Sequence, residues 1–333
     1  MLFLTLVFGT IFGEMLGGKS KFLLISCALP MIANAEVLPL NDALRATYSA
    51  CVGIDDELAD LKKMAGINTA VTGVGTGLGV GATVTGLVKA STDKQIDELE
   101  KKLELLKQID ERRQKDGIVA NNADLTDAMD ASFANHQNDN TIQQQTLQQQ
   151  IDEKTKKSKS LGNWRTGLLA GNTATNVAGA IIASNNQVKG DLQTQIDNCK
   201  VSVKNLRDSI MQARFNGEDV TEANNIVSAC DEYNYVDISP INNRAKGAMI
   251  SSIVGATTGL TGTITSAVAN TDKTRNDNTD SGKQKEKNLN TASNVLAGAS
   301  TVASATATVF NATQISAIKK VASVAEKCTG VLK

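Results

Sequence analysis

The chain has 333 residues, a formal net charge of −1, 41% hydrophobic residues and only 3% aromatic residues. A nearly neutral chain lacks the basic face that nucleic-acid binding requires, so no nucleic-acid partner is expected. Only three prolines occur, which favours long uninterrupted helices. Gly, Ala, Ser and Thr fill the uncharged segments, so the sequence predicts an all-α fold whose helices pack closely through small side chains.

Residues 1–35 have the features of an export signal. Lys19 and Lys21 form a basic region, an apolar stretch follows, and Ala33-Asn34-Ala35 is a small-x-small cleavage site. The mature chain is therefore expected to begin at Glu36 and to reside in the cell envelope, with secretion as the alternative.

Three other motifs overlap this segment. Translation that starts at Met15 would give a signal of ordinary length. The stretch Leu24-Ile25-Ser26-Cys27 has the form of a lipoprotein cleavage motif, but it follows the basic region closely. Residues 13–20 match the phosphate-binding pattern G-x-x-x-x-G-K-S, which needs a βαβ sheet that the downstream sequence does not predict.

The first half of the mature chain, residues 36–216, predicts a helical hairpin. Residues 64–88 carry no charge and predict one helix, and residues 166–188 are uncharged in the same way and predict another. Between them, about residues 92–160, apolar residues at three/four spacing predict a coiled-coil insert that contains a polar loop or weak helix. A second heptad pattern runs from Leu192 to Ala213 and stops at Asn216-Gly217.

The second half, residues 217–333, repeats this organisation. Two further uncharged segments, 247–271 and 288–318, are joined by a short polar turn. Thr92 follows Cys51 by 41 positions, and Thr271 follows Cys230 by 41 positions, each opening the sequence Thr-Asp-Lys. The halves therefore predict an internal duplication, with two tandem antiparallel helical hairpins.

The cysteines of the mature chain predict two disulfides. Four remain after export, and an even number in an exported chain favours disulfides. If each half is a hairpin, the pairs are Cys51–Cys199 and Cys230–Cys328. A Cys199–Cys230 bridge folded about the intervening turn would miss by roughly 8 Å. No CxxC pair occurs and the chain has one histidine, His136, so neither a metal nor another cofactor is expected.

Small residues recur at every fourth position in the four uncharged segments, which predicts a bare row along each helix. The rows resemble the glycine-zipper pattern of some bacterial envelope proteins, and the resemblance implies helices that pack on one another. If the row of the first segment forms the helix contact of a pore, Gly77→Leu is predicted to abolish leakage from liposomes. The candidate packing residues are Gly73, Gly77, Gly81, Gly167, Gly171, Gly179, Gly255 and Gly259.

Two functional classes remain after these exclusions. The first is a non-enzymatic envelope protein whose hairpins associate with a membrane, or with each other, as a structural element or a pore. The alternative is a secreted or periplasmic, disulfide-stapled coiled-coil protein that binds a protein partner. No nucleophile–base–acid set is visible and the carboxylates are spread along helical faces, so neither an enzyme nor a small-molecule substrate is expected.

Overall fold

The computed structural model describes residues 37–120, 128–275 and 279–332, and in these ranges it is all-helical without strands. The predicted signal segment, residues 1–35, lies outside the described residues. The main helices are α1 (Leu40–Cys51), α2 (Ile54–Ala120), α3 (Ala128–Asn185), α4 (Asp191–Phe215), α5 (Thr221–Cys230), α6 (Ser239–Ala269), α7 (Asp272–Arg275) and α8 (Asp280–Leu332), with a 3₁₀ turn at Asp231–Tyr235.

Glycines with positive φ lie at three of the breaks between these helices: Gly53, Gly190 and Gly217. Apolar residues at three/four spacing after Asn41, including Leu44, Tyr48, Leu58 and Leu61, predict one helix that continues into the first uncharged segment, but the structure breaks it at Gly53, whose φ is +95°. A residue with a side chain would be strained at that φ, so glycine permits the break between α1 and α2. The predicted stop at Asn216-Gly217 is confirmed: α4 ends at Phe215, and Gly217 has φ +77°.

Four long helices form one antiparallel bundle. Helix α2 packs against α3, α6 packs against α8, and in addition α2 packs against α8 and α3 against α6. The α2/α3 pair and the α6/α8 pair therefore share one interior. The residues from Pro39 onward form a single compact unit.

Beyond the bundle, α2 and α3 continue as a two-helix extension. Near its outer part, Asp110 accepts hydrogen bonds from Asn140 Nδ2, at 2.7 Å, and from Gln144. Closer to the bundle, Lys154 Nζ donates to Gln95 Oε1 at 2.7 Å. The coiled-coil insert predicted for about residues 92–160 thus forms two antiparallel helices whose contacts are partly polar.

The opposite end of the bundle carries a compact head with an apolar core. The core joins α1, α4 and α5 to the first turns of α2 and to the last turns of α8, and Ile54, Ile196 and Ile318 are fully buried in it. The heptad that the sequence predicts from Leu192 supplies much of this core, with Val203 and Leu206 fully buried.

Two disulfides join the helices of the head. Cys51 is bonded to Cys199 and Cys230 to Cys328, with Cα–Cα distances of 4.8 and 4.5 Å. These are the pairs expected from the hairpin argument. Their ring sizes are large, since the bonded residues are 148 and 98 positions apart.

Removal of one bridge should weaken the head. The Cys230→Ser/Cys328→Ser variant is expected to lower the free energy of unfolding by about 2–5 kcal/mol, because a bridge that closes a long loop restricts the unfolded chain. Denaturant unfolding measures the change.

Non-reducing peptide mapping of the wild-type protein should yield a disulfide-linked peptide pair containing Cys51 and Cys199, whereas a pair joining Cys199 to Cys230 would contradict the fold described above.

Candidate functional site

The interior of the four-helix bundle is lined by polar side chains. Within the uncharged segments the fully buried positions include amides and hydroxyls from all four helices: Asn68, Thr72, Asn172, Asn176, Ser252, Ser293, Ser300, Ser304 and Asn311. The apolar cluster at this level contains only Ala82, Leu169 and Ala297, with Leu168 against it. The bundle interior is therefore far more polar than the core of the head.

Hydrogen bonds join these polar groups across the bundle. Asn172 Nδ2 donates to Ser300 Oγ at 2.8 Å, and Asn176 Nδ2 donates to Ser304 Oγ at 2.7 Å. Ser300 Oγ in turn donates to the carbonyl of Gly255 at 2.7 Å. These contacts link α3, α6 and α8, and they meet the requirement that buried polar groups be paired.

A second pair of amides forms hydrogen bonds between α2 and α8 inside the bundle. Asn68 Nδ2 donates to Asn311 Oδ1 at 2.9 Å, and Asn311 Nδ2 reaches Thr72 Oγ1 at 3.4 Å. Each of these three residues is fully buried.

The outer surface of the same segments is apolar. On α8, Val295, Val302 and Val309 are spaced by seven residues, and 62–67% of each is exposed. The other large apolar residues that are exposed at this level are Met64, Ile67, Val74, Val80, Val84, Leu87 and Val88 of α2, Val177 and Ile181 of α3, and Ile250, Val254, Leu260, Ile264 and Val268 of α6. Together they form an outward apolar band, and Trp164, 68% exposed, lies at its edge beside the extension.

The glycines that permit close helix approach are a different set from the one expected in α2. A Cβ on Gly73 or Gly77 would meet nothing within 4 Å, whereas a Cβ on Gly75 would lie 2.5 Å from Thr175 Oγ1. A Cβ on Gly79 would likewise lie 2.5 Å from Thr301 Oγ1. Within one chain, the glycines of α2 that lie against other helices are therefore Gly75 and Gly79, and not Gly77 as predicted.

Some of the remaining candidate glycines lie in the bundle interior and others lie on or near its outer surface. Gly179, Gly255 and Gly259 are buried, and a Cβ on any of them would approach a side chain of another helix within 2.8 Å. Gly167 faces outward with nothing within 4 Å. Gly81 and Gly171 are half-buried and only border leucines of the facing helix, Leu168 and Leu78 respectively.

The spacing explains this division. A row of every fourth residue advances about 40° around a helix at each step, because 3.6 residues make one turn. Such a row leaves the contact face within a few turns. The buried positions of α6 instead alternate between three and four, which keeps them on one side of a helix in a bundle. They are Ile241, Ala245, Ala248, Ser252, Gly255, Gly259, Gly262, Ser266 and Ala269.

An ionic cluster lies where the bundle meets the extension. Lys89 is 1% exposed, and its Nζ lies 2.6 Å from Asp93 Oδ2 and 3.6 Å from Glu286 Oε1. Ser158 also donates to Asp93, and Arg275 Nη2 donates to Ser158 Oγ at 3.3 Å. Burial raises the pKa of Glu286, and the charge of Lys89 opposes that rise.

Arg165 is buried next to this cluster without a carboxylate. Its side chain is fully buried, and Nη2 reaches the carbonyl of Asn290 at 3.4 Å. Nε and Nη1 have no hydrogen-bond partner. Arg165 directly precedes the uncharged segment 166–188, a position typical of a solvated boundary, and its burial was not predicted. The signal in the sequence is the three/four spacing of Arg165, Leu169, Asn172 and Asn176, which are all buried.

The cysteines do not provide thiolate ligands in this structure. The sulfur atoms of Cys51, Cys199 and Cys328 lie within 4.8 Å of one another in the head, but each is in a disulfide. A disulfide sulfur lacks the thiolate charge that binds metals.

Two helical stretches of the described chain are long and apolar enough to cross a membrane by length and composition. They are Leu40–Arg112 and Ser281–Leu332, and only 28% and 33% of their most apolar windows are buried. No protein-family model, curated protein or solved structure matches the chain.

Alanine substitutions at two neighbouring glycines should have opposite effects. Gly79→Ala places a methyl group against Thr301 and Asn172 and is expected to destabilise the bundle by about 1–3 kcal/mol. Gly77→Ala meets open space and is expected to stabilise the helix by about 0.5–1 kcal/mol. Thermal unfolding followed by circular dichroism measures both, and a larger loss at Gly77 than at Gly79 would contradict the helix packing.

Proposed function

We propose that the protein is a non-enzymatic structural protein of the cell envelope whose four-helix bundle lies in a membrane, with α2 and α8 as the helices apolar enough to span it alone and α3 and α6 packed against them. The observation that carries the proposal is the inverted polarity of the bundle, with amides and hydroxyls inside and large aliphatic side chains outside. Helices in lipid associate through small residues and interhelical hydrogen bonds, because lipid is as apolar as their own side chains. The contacts of Asn172, Asn176, Ser300 and Ser304 are of that kind.

The size of the outward apolar band supports this environment. Seventeen large aliphatic residues of the four segments are at least 40% exposed. Burying half of such a side chain is worth about 1 kcal/mol, so transfer of the band into lipid contributes on the order of 15 kcal/mol. Residues 64–88 make a helix about 37 Å long, which exceeds the hydrocarbon thickness of about 30 Å.

The many threonines reduce the polar penalty of such a location. In lipid, a hydroxyl without a partner is unfavourable, but a threonine in a helix can donate to the carbonyl one turn earlier. Thr257, which is exposed, donates to the carbonyl of Ile253 at 2.9 Å, and Thr261, which is half-buried, donates to the carbonyl of Thr257 at 2.9 Å. The same bond is made by Thr69, Thr72, Thr76, Thr83 and Thr85 of α2.

The disulfides favour one orientation. Disulfides persist on the oxidising side of a membrane, so the head lies on the export side, in agreement with the expected signal peptide. The α2/α3 extension and the turn between α6 and α8 then lie on the other side. Lysine and arginine flank both ends of the segments, so the orientation rests on the disulfides.

The predicted duplication gives the bundle a two-fold organisation. The contacts Asn172–Ser300, Asn176–Ser304 and Asn186–Gln314 each join residues 128 positions apart, so α3 and α8 meet at equivalent positions. The Gly79–Thr301 approach has a counterpart at Gly259–Thr173. Helices α3 and α8 run in the same direction, which corresponds to repeats related by an axis along the membrane normal.

The surface favours a second copy of the chain as the partner. The outward glycines Gly73, Gly77 and Gly167 leave bare patches in the apolar band where a helix of another copy can approach closely. Because hydrogen-bonded side chains fill the interior of one bundle, a pore would form between copies and not through a single chain.

The alternative function, binding of a protein partner by a soluble coiled-coil protein, is favoured by the extension. Leu105 and Ile142 are each 59% exposed on its two helices, and Ile109 is 42% exposed one turn from Leu105. These side chains offer an apolar surface outside the bundle.

Lysines introduced into the outward apolar band by mutation should distinguish the two functions. Membranes from expressing cells are extracted with alkaline carbonate, and the wild-type protein is expected in the pellet. In the Val302→Lys/Val309→Lys variant, each lysine near the centre of a spanning helix opposes insertion by about 2.5–3.5 kcal/mol, so the pelleted fraction should fall sharply. Phe215→Lys is the matched control, because Phe215 is 92% exposed in the head and should not affect extraction. Full release of the wild-type protein would support the soluble alternative.

A further inference from the structure

An open groove on the outer surface of the bundle is lined by residues of α2 and α3, at the level where the outward apolar band meets the extension. Its volume is about 710 Å³. The end nearer the extension is lined by polar residues of α3, all of them exposed: Lys156, Lys159, Ser160 and Asn163. The described residues that line the groove include these two lysines and no carboxylate, so this end carries positive charge.

The other end of the groove is apolar. It is lined by Leu78 of α2 and by Gly167 and Leu168 of α3. A Cβ on Gly167 would meet nothing within 4 Å, so bare backbone is open to the surroundings there. Trp164 lines the groove between its polar and apolar ends and is 68% exposed. Tryptophan is enriched at this level of membrane proteins, because its ring is apolar and its N–H group is polar.

A second groove lies on α8 at the corresponding level. Helices α3 and α8 contact each other at residues 128 positions apart, and with this offset Ser160 and Trp164 correspond to Asn288 and Ala292. Asn288, Ala292 and Lys285 are among the residues that line the second groove, whose volume is about 660 Å³. A groove with a lysine and an amide at its polar end therefore occurs on both helices, and the groove on α3 has the tryptophan in addition.

An anionic phospholipid has the length and the polarity of the groove on α3. Lys156 and Leu168 are 12 residues apart, which corresponds to about 18 Å along the helix. Half of a bilayer with its headgroups is about 20–22 Å thick. If the head lies on the export side, the lysines lie at the surface of the cytoplasmic leaflet, whose anionic lipids attract lysine. A soluble anion would leave the apolar end of the groove empty, and an apolar helix would bring no negative charge to the lysines.

We infer that the groove on α3 binds one anionic phospholipid of that leaflet. Lys156 and Lys159 contact its phosphate. Ser160 and Asn163 donate hydrogen bonds to the headgroup, and an acyl chain lies over the bare backbone at Gly167. Because this site needs a bilayer around the bundle, it rests on the membrane location proposed above.

The fluorescence of Trp164 reports on the groove directly, because it is the only tryptophan of the chain. The purified full chain is reconstituted into phosphatidylcholine vesicles that contain a low mole fraction of either brominated phosphatidylglycerol or brominated phosphatidylcholine. The bromine atoms are placed on the acyl chains near the glycerol, so that only a lipid in contact with Trp164 quenches it. Two lysines favour the anionic lipid by on the order of tenfold, so brominated phosphatidylglycerol should quench Trp164 several-fold more strongly.

Two variants with the same loss of charge separate this site from a general attraction to an anionic surface. Lys156→Gln/Lys159→Gln should lower the quenching by brominated phosphatidylglycerol to that by brominated phosphatidylcholine. Lys285→Gln/Lys287→Gln removes two exposed lysines of α8 and should keep the difference. All four lysines are exposed, so both variants should fold, and unchanged quenching by brominated phosphatidylcholine shows that they are still inserted.

Equal quenching of the wild-type protein by the two lipids would overturn the inference and leave the membrane location standing. A difference that falls equally in both variants would also overturn it, because the attraction would then belong to the whole surface. If neither lipid quenches Trp164, the inference is overturned and alkaline carbonate extraction shows whether the membrane location fails with it. Protein in the pellet would mean that a second copy covers the groove, and released protein would contradict the membrane location as well.

Discussion

The hydrogen bonds between Asn172, Asn176, Ser300 and Ser304 are the interaction on which the bundle depends. They place polar groups at the centre of four helices and leave the valines, leucines and isoleucines on the outside. Such an interior forms only if the helix backbones approach closely, and Gly255 and Gly259 of α6 permit this approach by omitting a side chain opposite Asn176 and Thr173. Polar pairing and bare backbone are therefore two parts of one packing arrangement.

The same chain contains the opposite arrangement in its head. There Ile54, Leu58, Ile196 and Leu206 are fully buried, as in a water-soluble domain. The change occurs within single helices, since α2 contributes Leu58 to the head and buries Asn68 less than three turns later. The proposed membrane location accounts for this change, because one continuous helix would then have water around its part in the head and lipid around its part in the bundle.

Much of the architecture follows from the sequence because it rests on local patterns. The long uncharged segments, the heptads and the matching cysteine spacings predict the helices, the α4 core and the pairing of Cys51 with Cys199. The rotational position of each helix could not be read from the row at every fourth residue. Gly75 lies two positions from both Gly73 and Gly77, and only the three/four alternation that includes Thr72, Gly75 and Gly79 identifies the buried face.

The contacts between the hairpins were the other part that the sequence could not supply. Nothing local indicates that Asn68 meets Asn311, because these residues are 243 positions apart and each occurs in a segment rich in small residues. Arg165 was hidden for a related reason. A charged residue at the end of an uncharged run is normally a solvated boundary, and only the close approach of α8 buries it.

The most direct test of the inverted bundle is the environment of Val302 in protein reconstituted into lipid vesicles. A spin label at Val302→Cys is specific because the cysteines of the described chain are in disulfides, and a label at Lys319→Cys, which is exposed on the same helix in the head, provides the reference. If the outward band lies in lipid, the label at position 302 will collide frequently with oxygen and rarely with a water-soluble nickel complex, and the label at 319 will show the reverse. Equal access of the nickel complex to both labels would contradict the account.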